Sequence, residues 1–286
     1  MNKILSKSLR LKHQRLIEQP SENKHIDQDA QKKLNSIMFN PIGQFFFTVF
    51  DFDEFEFKER HRIEKHLGYT GNEFNIKSLN NDSTQKFQIT HTNDIGHVLR
   101  YNTIIYELLA KPPKGCQFEL LTDNYEILFR IRHKDGHFLR VRRKCFLMSL
   151  KNGRPKTHLD TWEILHNDYN TNVIIRFQTK NLEMNEAVTE SFYELNCKEL
   201  DFYLTPREKD IVAFKEEGLF DKEVADRLGV SRRTVEKRLL DLKKRINDFL
   251  EKNKIKKYVG TNFEMIQFLK SFGLLLFKKN SQHDIP

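Results

Sequence analysis

The chain has 286 residues and carries 49 Lys and Arg against 40 Asp and Glu, a net charge of +9 with a pI of about 9.3. That length suits two domains of ordinary size plus connecting helices, and that charge suits an anionic partner. No run approaches the ~18 apolar residues of a membrane span, and no N-terminal stretch has the form of a signal peptide, so a cytoplasmic chain without a membrane role is expected.

Residues 1–35 are polar and basic. Ile4, Leu5, Leu9 and Leu16 predict a helix over about Lys3–Glu18, broken at Gln19-Pro20-Ser21, and a second helix starts near Asp27. This N-terminal helical cap is expected to pack on the next domain or on a second subunit. From Phe45 the run F-F-F-T-V-F-D-F-D-E-F-E-F alternates with period two, predicting two strands that turn near Asp53. A helix follows from about Lys58 and closes at Leu67-Gly68. After a polar stretch rich in Asn and Asp, Val98, Leu99, Ile104, Ile105, Leu108 and Leu109 predict a helix over Asp94–Lys111. Three strands complete the block, roughly Tyr125–His133, Phe138–Leu150 and Lys156–His166. Asp135-Gly136 and Asn152-Gly153 in their connections are hairpin signals.

Two strands, short helices and a three-strand meander make an α+β domain, an antiparallel sheet with flanking helices. The residues L-G-Y-T-G-N-E-F (67–74), I-T-H-T-N-D (89–94) and F-R-I-R-H-K-D-G-H-F (129–138) carry a resemblance to PAS domains over residues 36–167. The resemblance implies sensing or partner contact. Cofactor chemistry has little to stand on here. Cys116 sits in G-C-Q-F, unlike the Asn-Cys setting of flavin-photoreactive PAS domains, and no histidine stands out as a haem ligand. Cys116, Cys145 and Cys197 are odd in number and lack C-x-x-C spacing, so neither disulfides nor zinc is expected. His61 and His66 are five apart on a predicted helix and read as surface residues, while His91 and Asp94 read as a helix-capping pair. The many phenylalanines either line a ligand cavity or fill a core.

Residues 168–203 form a connecting segment, with a strand near Val173–Phe177 and a helix over Leu182–Leu195 that ends before Asn196. Its expected role is to hold two domains in a defined relation. Beyond it, Thr205, Pro206 and Glu208 form a capping box that opens a helix ending at Gly218. Asp221 is expected to cap a short second helix with Val224, Ala225 and Leu228 on its apolar side, stopped by Gly229. Ser231 then caps a third helix. On it Val235, Leu239, Leu242 and Ile246 share the core face, with Arg233, Lys237, Leu240 and Lys244 opposite. Between Ser231 and Arg245 seven Lys or Arg stand against Glu236 and Asp241, a local charge of 7 − 2 = +5. A short helix, a Gly turn and a Ser-capped basic helix place a recognition helix in the DNA major groove.

The same residues, L-T-x-R-E, then E-G-L, then K-E-V-A-D-R-L-G-V-S-x-R-T-V-E, resemble the C-terminal domain of LuxR-type transcriptional regulators, implying an all-α helix-turn-helix domain over 204–286. The T-V-x-x-R-L form also resembles the promoter-reading domain of sigma factors. Glu236 and Arg238 stand where the LuxR family commonly has Lys and His, so its base contacts are not copied. Thr261 is expected to cap a last helix through Phe263, Ile266, Phe268, Leu269 and Phe272, followed by the apolar tail 273–277. In the resembled family the helix after the recognition helix often makes the dimer contact.

The expected DNA-contacting set is Ser231, Arg232, Arg233, Thr234, Glu236, Lys237, Arg238, Leu240, Lys243 and Lys244. Arg233, Lys237, Leu240 and Glu236 would meet base edges, and Arg232, Arg238, Lys243 and Lys244 would hold phosphates. Double-stranded DNA and a second copy of the chain are the expected partners, with RNA polymerase and a small-molecule ligand as further candidates. No Ser-His-Asp order, phosphate-cradling Gly loop or metal-ligand cluster supports an enzyme. The competing reading is an adaptor whose helix-turn-helix contacts protein instead of DNA.

Overall fold

The computed structural model of the protein describes residues 45–79, 88–151, 154–165 and 172–275, without the side chains of Lys77 and Arg154. The helices expected in 1–35, the Asn152-Gly153 turn and the end of the apolar tail lie outside them. The chain divides into two units, one reaching Phe192 and the other beginning at Tyr193.

In the first unit, β1 (Phe45–Asp51) and β2 (Glu56–His61) form an antiparallel hairpin. The Asp51 carboxylate closes its turn by accepting the amides of Asp53 at 2.8 Å and Glu54 at 3.1 Å. A helix was expected from Lys58, but Phe57 is buried between exposed Glu56 and Lys58, and this period-two pattern keeps the segment in the sheet. The helix begins only at α1 (Ile63–Leu67), which Gly68 ends in the left-handed conformation at φ 76°. The short α2 (Ile76–Leu79) follows.

The next helix, α3 (Ile95–Ala110), is buried along nearly its whole length, polar residues His97, Arg100 and Asn102 included. The strands β3 (Asn124–Arg132), β4 (Phe138–Lys151) and β5 (Arg154–Leu165) form the expected meander. β5 then pairs with β1, and β6 (Ile174–Gln178) adds to the free edge of β3. The resulting six-stranded antiparallel sheet has the order β2-β1-β5-β4-β3-β6. At its centre Trp162 stacks on Phe46, with centroids 5.4 Å apart, and donates its indole N–H to Thr48 Oγ1 at 3.1 Å. A buried indole needs such a partner, because an unmade hydrogen bond costs about 1–3 kcal/mol.

The side chains of the expected His91–Asp94 capping pair lie 3.9 Å apart, but neither makes a side-chain cap bond to the helix. Asp94 stands at the N-cap of α3, yet its buried carboxylate instead accepts the Arg130 amide at 2.8 Å and grips the Arg130 guanidinium at 3.0 and 2.5 Å. A charged partner brought in by β3 wins over the local amide, since charge-assisted bonds are the stronger.

Helix α4 (Leu182–Leu200) runs from the first unit into the second. The described remainder of the second unit holds four further helices: α5 (Pro206–Glu216), α6 (Asp221–Leu228), α7 (Arg232–Lys252) and α8 (Asn262–Ser271). Their common core includes Val212, Val224, Val235, Leu239, Ile246, Phe249 and Phe268, together with Cys197, Leu200 and Phe202 from before α5. α4 does not stop before Asn196 as expected. The buried Asn196 amide donates to the Phe272 and Gly273 carbonyls at 2.9 and 3.2 Å, where α8 ends, and this pairing satisfies a polar residue inside the helix.

Candidate nucleic-acid interface

The geometry of α7 is set by three local devices. Thr205 Oγ1 accepts the Glu208 amide at 3.2 Å while the Glu208 carboxylate accepts the Thr205 amide at 2.7 Å, the reciprocal box expected at the start of α5. Glu208 has a second task that the sequence did not reveal. Its other oxygen accepts from Arg245 Nη1 at 2.6 Å, and Arg245 also donates to the Tyr203 carbonyl, so α7 is tied to the start of α5. Arg245, counted among the basic residues of the third helix, is therefore engaged inside its own unit.

The second device is α6. Its N-cap is Phe220, not Asp221; Phe220 has no side-chain acceptor, and the cap consists of the Glu223 carboxylate accepting the Phe220 amide at 2.7 Å. Asp221 lies in the first turn and pairs with Lys215 at 2.9 Å. Gly229 ends α6 at φ 62° and ψ 37°, with the Val230 amide returning to the Ala225 carbonyl at 3.0 Å. The left-handed residue and this back-bond turn the chain sharply. The third device is Ser231, whose hydroxyl accepts the Thr234 amide at 3.1 Å and meets Thr234 Oγ1 at 2.8 Å, so Thr234 is bound to the cap itself.

Along α7, Val235, Leu239, Leu242 and Ile246 are buried, as the spacing predicts, and Phe249 and Leu250 extend the seam. Arg232, Arg233, Glu236, Lys237, Arg238, Leu240 and Lys244 are exposed, whereas Lys243 is half-buried. Arg232 pairs with Glu236 at 2.7 Å, one turn along, both in solvent. The side chains of Arg233, Lys237, Arg238, Lys243 and Lys244 have no ion pair or hydrogen bond among the described residues. Leu240 is 65% exposed and Phe220, at the start of α6, is 75% exposed, apolar area that the unit itself does not cover. The ten expected contact residues thus occur together at the cap and on the open side of one helix. Five cations in this set have no partner among the described residues to surrender on meeting a phosphate.

The first unit holds a different kind of site, one the sequence reading missed. Arg143 Nε lies 3.0 Å from Asp160 Oδ1 and His158 Nε2 lies 3.1 Å from Asp160 Oδ2, with Cys145 beside them and all four residues buried. Burial pushes the Asp160 carboxyl up, but the Arg143 charge and the contact with His158 outweigh it and hold it below the usual carboxylate range. Burial, reinforced by the Asp160 charge, pushes the Cys145 thiol well up and keeps it protonated. A metal ion there would have to displace or face the Arg143 guanidinium, so the cluster is an ion-pair network. Its signal was present in R143-x-C145 and H158-x-D160, polar pairs at period two inside strands.

Two cavities of about 440 and 500 Å³, mouths included, border this network. Only about 20 and 30 Å³ of them can take the centre of a water, room for one or two waters each. Tyr106 and His158 line both. His158 Nδ1 and Asn102 Oδ1 are buried at these walls with no hydrogen-bond partner among the described residues, and such atoms call for a water or a bound group.

No protein-family model matches the chain, and no curated protein does. Among solved structures, the chain is similar to the phage VqmA–DPO complex, at 14% identity with a TM-score of 0.29, covering 90% of this chain and 94% of that one. It is also similar to the Vibrio cholera VqmA–ligand–DNA complex, at 12% identity and a TM-score of 0.28, covering 89% and 94%. A third is a Vibrio cholerae VqmA dimer without target DNA, described with LuxR-type receptors, at 12% identity and a TM-score of 0.29, covering 88% and 94%. At these values the likeness is too slight to assign a function. No helix among the described residues is long and apolar enough to cross a membrane.

Proposed function

We propose that the chain is a sequence-specific, double-stranded-DNA-binding transcriptional regulator of the LuxR type, cytoplasmic and dimeric, and not an enzyme. In this reading residues 1–35 are a helical cap, 36–167 a PAS-like sensory domain, 168–203 a connector and 204–286 the reader. The observation that carries it is the open side of α7, where Arg233, Lys237, Arg238, Lys243 and Lys244 have no partner among the described residues, directly after a Gly229 turn and a Ser231 cap. A helix entered this way presents its first turns to base edges and its later residues to phosphates. Arg233 and Lys237 suit guanine O6 and N7, Glu236 suits cytosine N4 and Leu240 a thymine methyl. Lys243 and Lys244, with Arg232 and Arg238, suit phosphates, and the Ser231 cap leaves the remaining amides of the helix N-terminus for the same use.

The His158 and Asn102 atoms, without a partner among the described residues, support a small polar ligand as the sensed signal, one that the sheet unit would have to open slightly to admit. Randomised-site selection with the purified full chain and with Glu236→Ala tests the reader. The proposal expects a recovered motif with two half-sites about one helical turn apart, relaxed at one base pair per half-site in the variant. Recovery of no motif, or uniform tightening to all sequences by Glu236→Ala, contradicts it.

A further inference from the structure

The tip of the β3–β4 hairpin, His133-Lys134-Asp135-Gly136-His137, belongs to the first unit and not to the residues proposed to read DNA. The His133 amide donates to the His137 carbonyl at 2.8 Å and the Gly136 amide to the His133 carbonyl at 3.0 Å, which closes the loop and sets the two histidines face to face. Gly136 stands at φ 107°, a conformation other residues avoid. The imidazoles stack with centroids 4.7 Å apart and an 18° interplanar angle. Both Nδ1 atoms lie 2.6 Å from the same atom, Asp135 Oδ1.

This convergence contains a conflict. The Asp135 amide points at His133 Nδ1 from 3.3 Å, a weak contact that asks that nitrogen to carry a lone pair, while its 2.6 Å approach to a carboxylate oxygen asks it to carry a proton. A neutral imidazole nitrogen cannot do both. With the lone pair on Nδ1, two imidazole nitrogens and one carboxylate oxygen point at each other as acceptors, all within 4.8 Å. A cation among them would take all three lone pairs at once, with the weak 3.3 Å contact from the Asp135 amide given up.

We propose that His133 Nδ1, His137 Nδ1 and the Asp135 carboxylate bind a divalent transition-metal ion of the zinc, cobalt or nickel kind. Two imidazoles and a carboxylate are the donors such ions take, and three protein ligands leave further positions for water. Tetrahedral ligands at ~2.0–2.1 Å from a metal are about 3.3 Å from one another, so the contacts must open by roughly 0.7 Å. Asp135, with a side chain 62% exposed, and His137, 55% exposed, are free to move that far. The neighbouring positive charges are Lys134, whose ammonium is held 3.1 Å from Glu73, and Arg132. The site is anchored below by the Lys134 amide, which donates to the Leu67 carbonyl at 3.0 Å where α1 ends. In the sequence, H-x-D-x-H read only as a hairpin turn, because its donors converge only when the strands pair.

Calorimetric titration of zinc chloride into the full chain, free of any affinity tag, tests this. One equivalent per chain is expected, with a loss of at least tenfold in affinity for His133→Gln and for His137→Gln. Asp135→Asn should weaken binding less, and each variant should keep the far-ultraviolet circular dichroism of the parent. A cobalt titration guards against thiol ligands: the d–d band should appear without sulfur charge transfer and should vanish in the double variant, His133→Gln with His137→Gln. No saturable zinc uptake by the parent, or uptake unchanged in the double variant, overturns the proposal and leaves the cluster a hydrogen-bonded turn.

Discussion

Lys237 and Lys244 are seven residues apart on the open side of α7, both exposed and both without a partner among the described residues, so position along the helix alone separates their expected roles. Lys237 lies near the capped end that enters the groove. Its replacement by Ala should cost about 1–3 kcal/mol of discrimination at particular base pairs. Lys244→Ala should instead weaken every duplex alike and lower the salt slope by about one. Competition binding with matched and mismatched duplexes separates the two. Arg245 makes the opposite case, a basic residue of the same helix that serves the fold. Removing it leaves Glu208, only 7% exposed, with the Thr205 amide but without its charged partner. With Arg245 itself 41% exposed, solvent takes up part of the loss, and Arg245→Ala should cost about 1–2 kcal/mol in denaturant unfolding. The salt slope should not change.

At the scale of elements, the devices that orient α7 can be removed singly. Thr205→Ala deletes the acceptor for the Glu208 amide and should cost about 1 kcal/mol. Gly229→Ala meets no atom within 4 Å, so its cost is the backbone strain at φ 62° alone, also about 1 kcal/mol. Chemical denaturation of the full chain reads both. These devices were legible in the sequence because each is completed within about four residues: Thr205 with Glu208, Gly229 with Ala225, Ser231 with Thr234, Thr261 with Glu264. Period-two alternation at Phe45 and the strand-like segments after Tyr125 likewise lie near the true bounds of five of the six strands, with β2 taken partly as helix. What sequence spacing could not disclose are pairings closed by the fold. Asp94 meets Arg130, Glu208 meets Arg245 and Asn196 meets the carbonyls after α8, partners at least 36 residues apart. The Arg143–Asp160 network is hidden for the same reason, since it exists only once β4 lies against β5.

At the scale of the whole molecule, His97 links stability to pH. It lies fully inside the first unit, where burial and then the nearby Arg100 charge hold its pKa well below the ordinary value, and its Nδ1 meets Arg100 Nη2 at 3.1 Å. The unfolded chain titrates this histidine near pH 6.5, so below that pH it binds a proton that the folded chain refuses. The contribution is full above pH 6.5 and declines as pH falls toward the folded value. The half-buried His66 and His91, lowered mainly by burial, act in the same direction. Thermal unfolding should therefore shift downward between about pH 7 and 5, and less steeply in His97→Gln. The proposed role of the molecule rests on the cations of α7 finding phosphate. Fluorescence anisotropy of a labelled duplex with the full chain, repeated over a series of sodium chloride concentrations, measures this directly. The account predicts that log K falls linearly with log salt with a slope of about −4 or steeper per reader domain, from the four or more phosphate contacts expected of Arg232, Arg238, Lys243 and Lys244. A flat salt dependence, or a slope unchanged when Lys243 and Lys244 are both replaced by Ala, would contradict it.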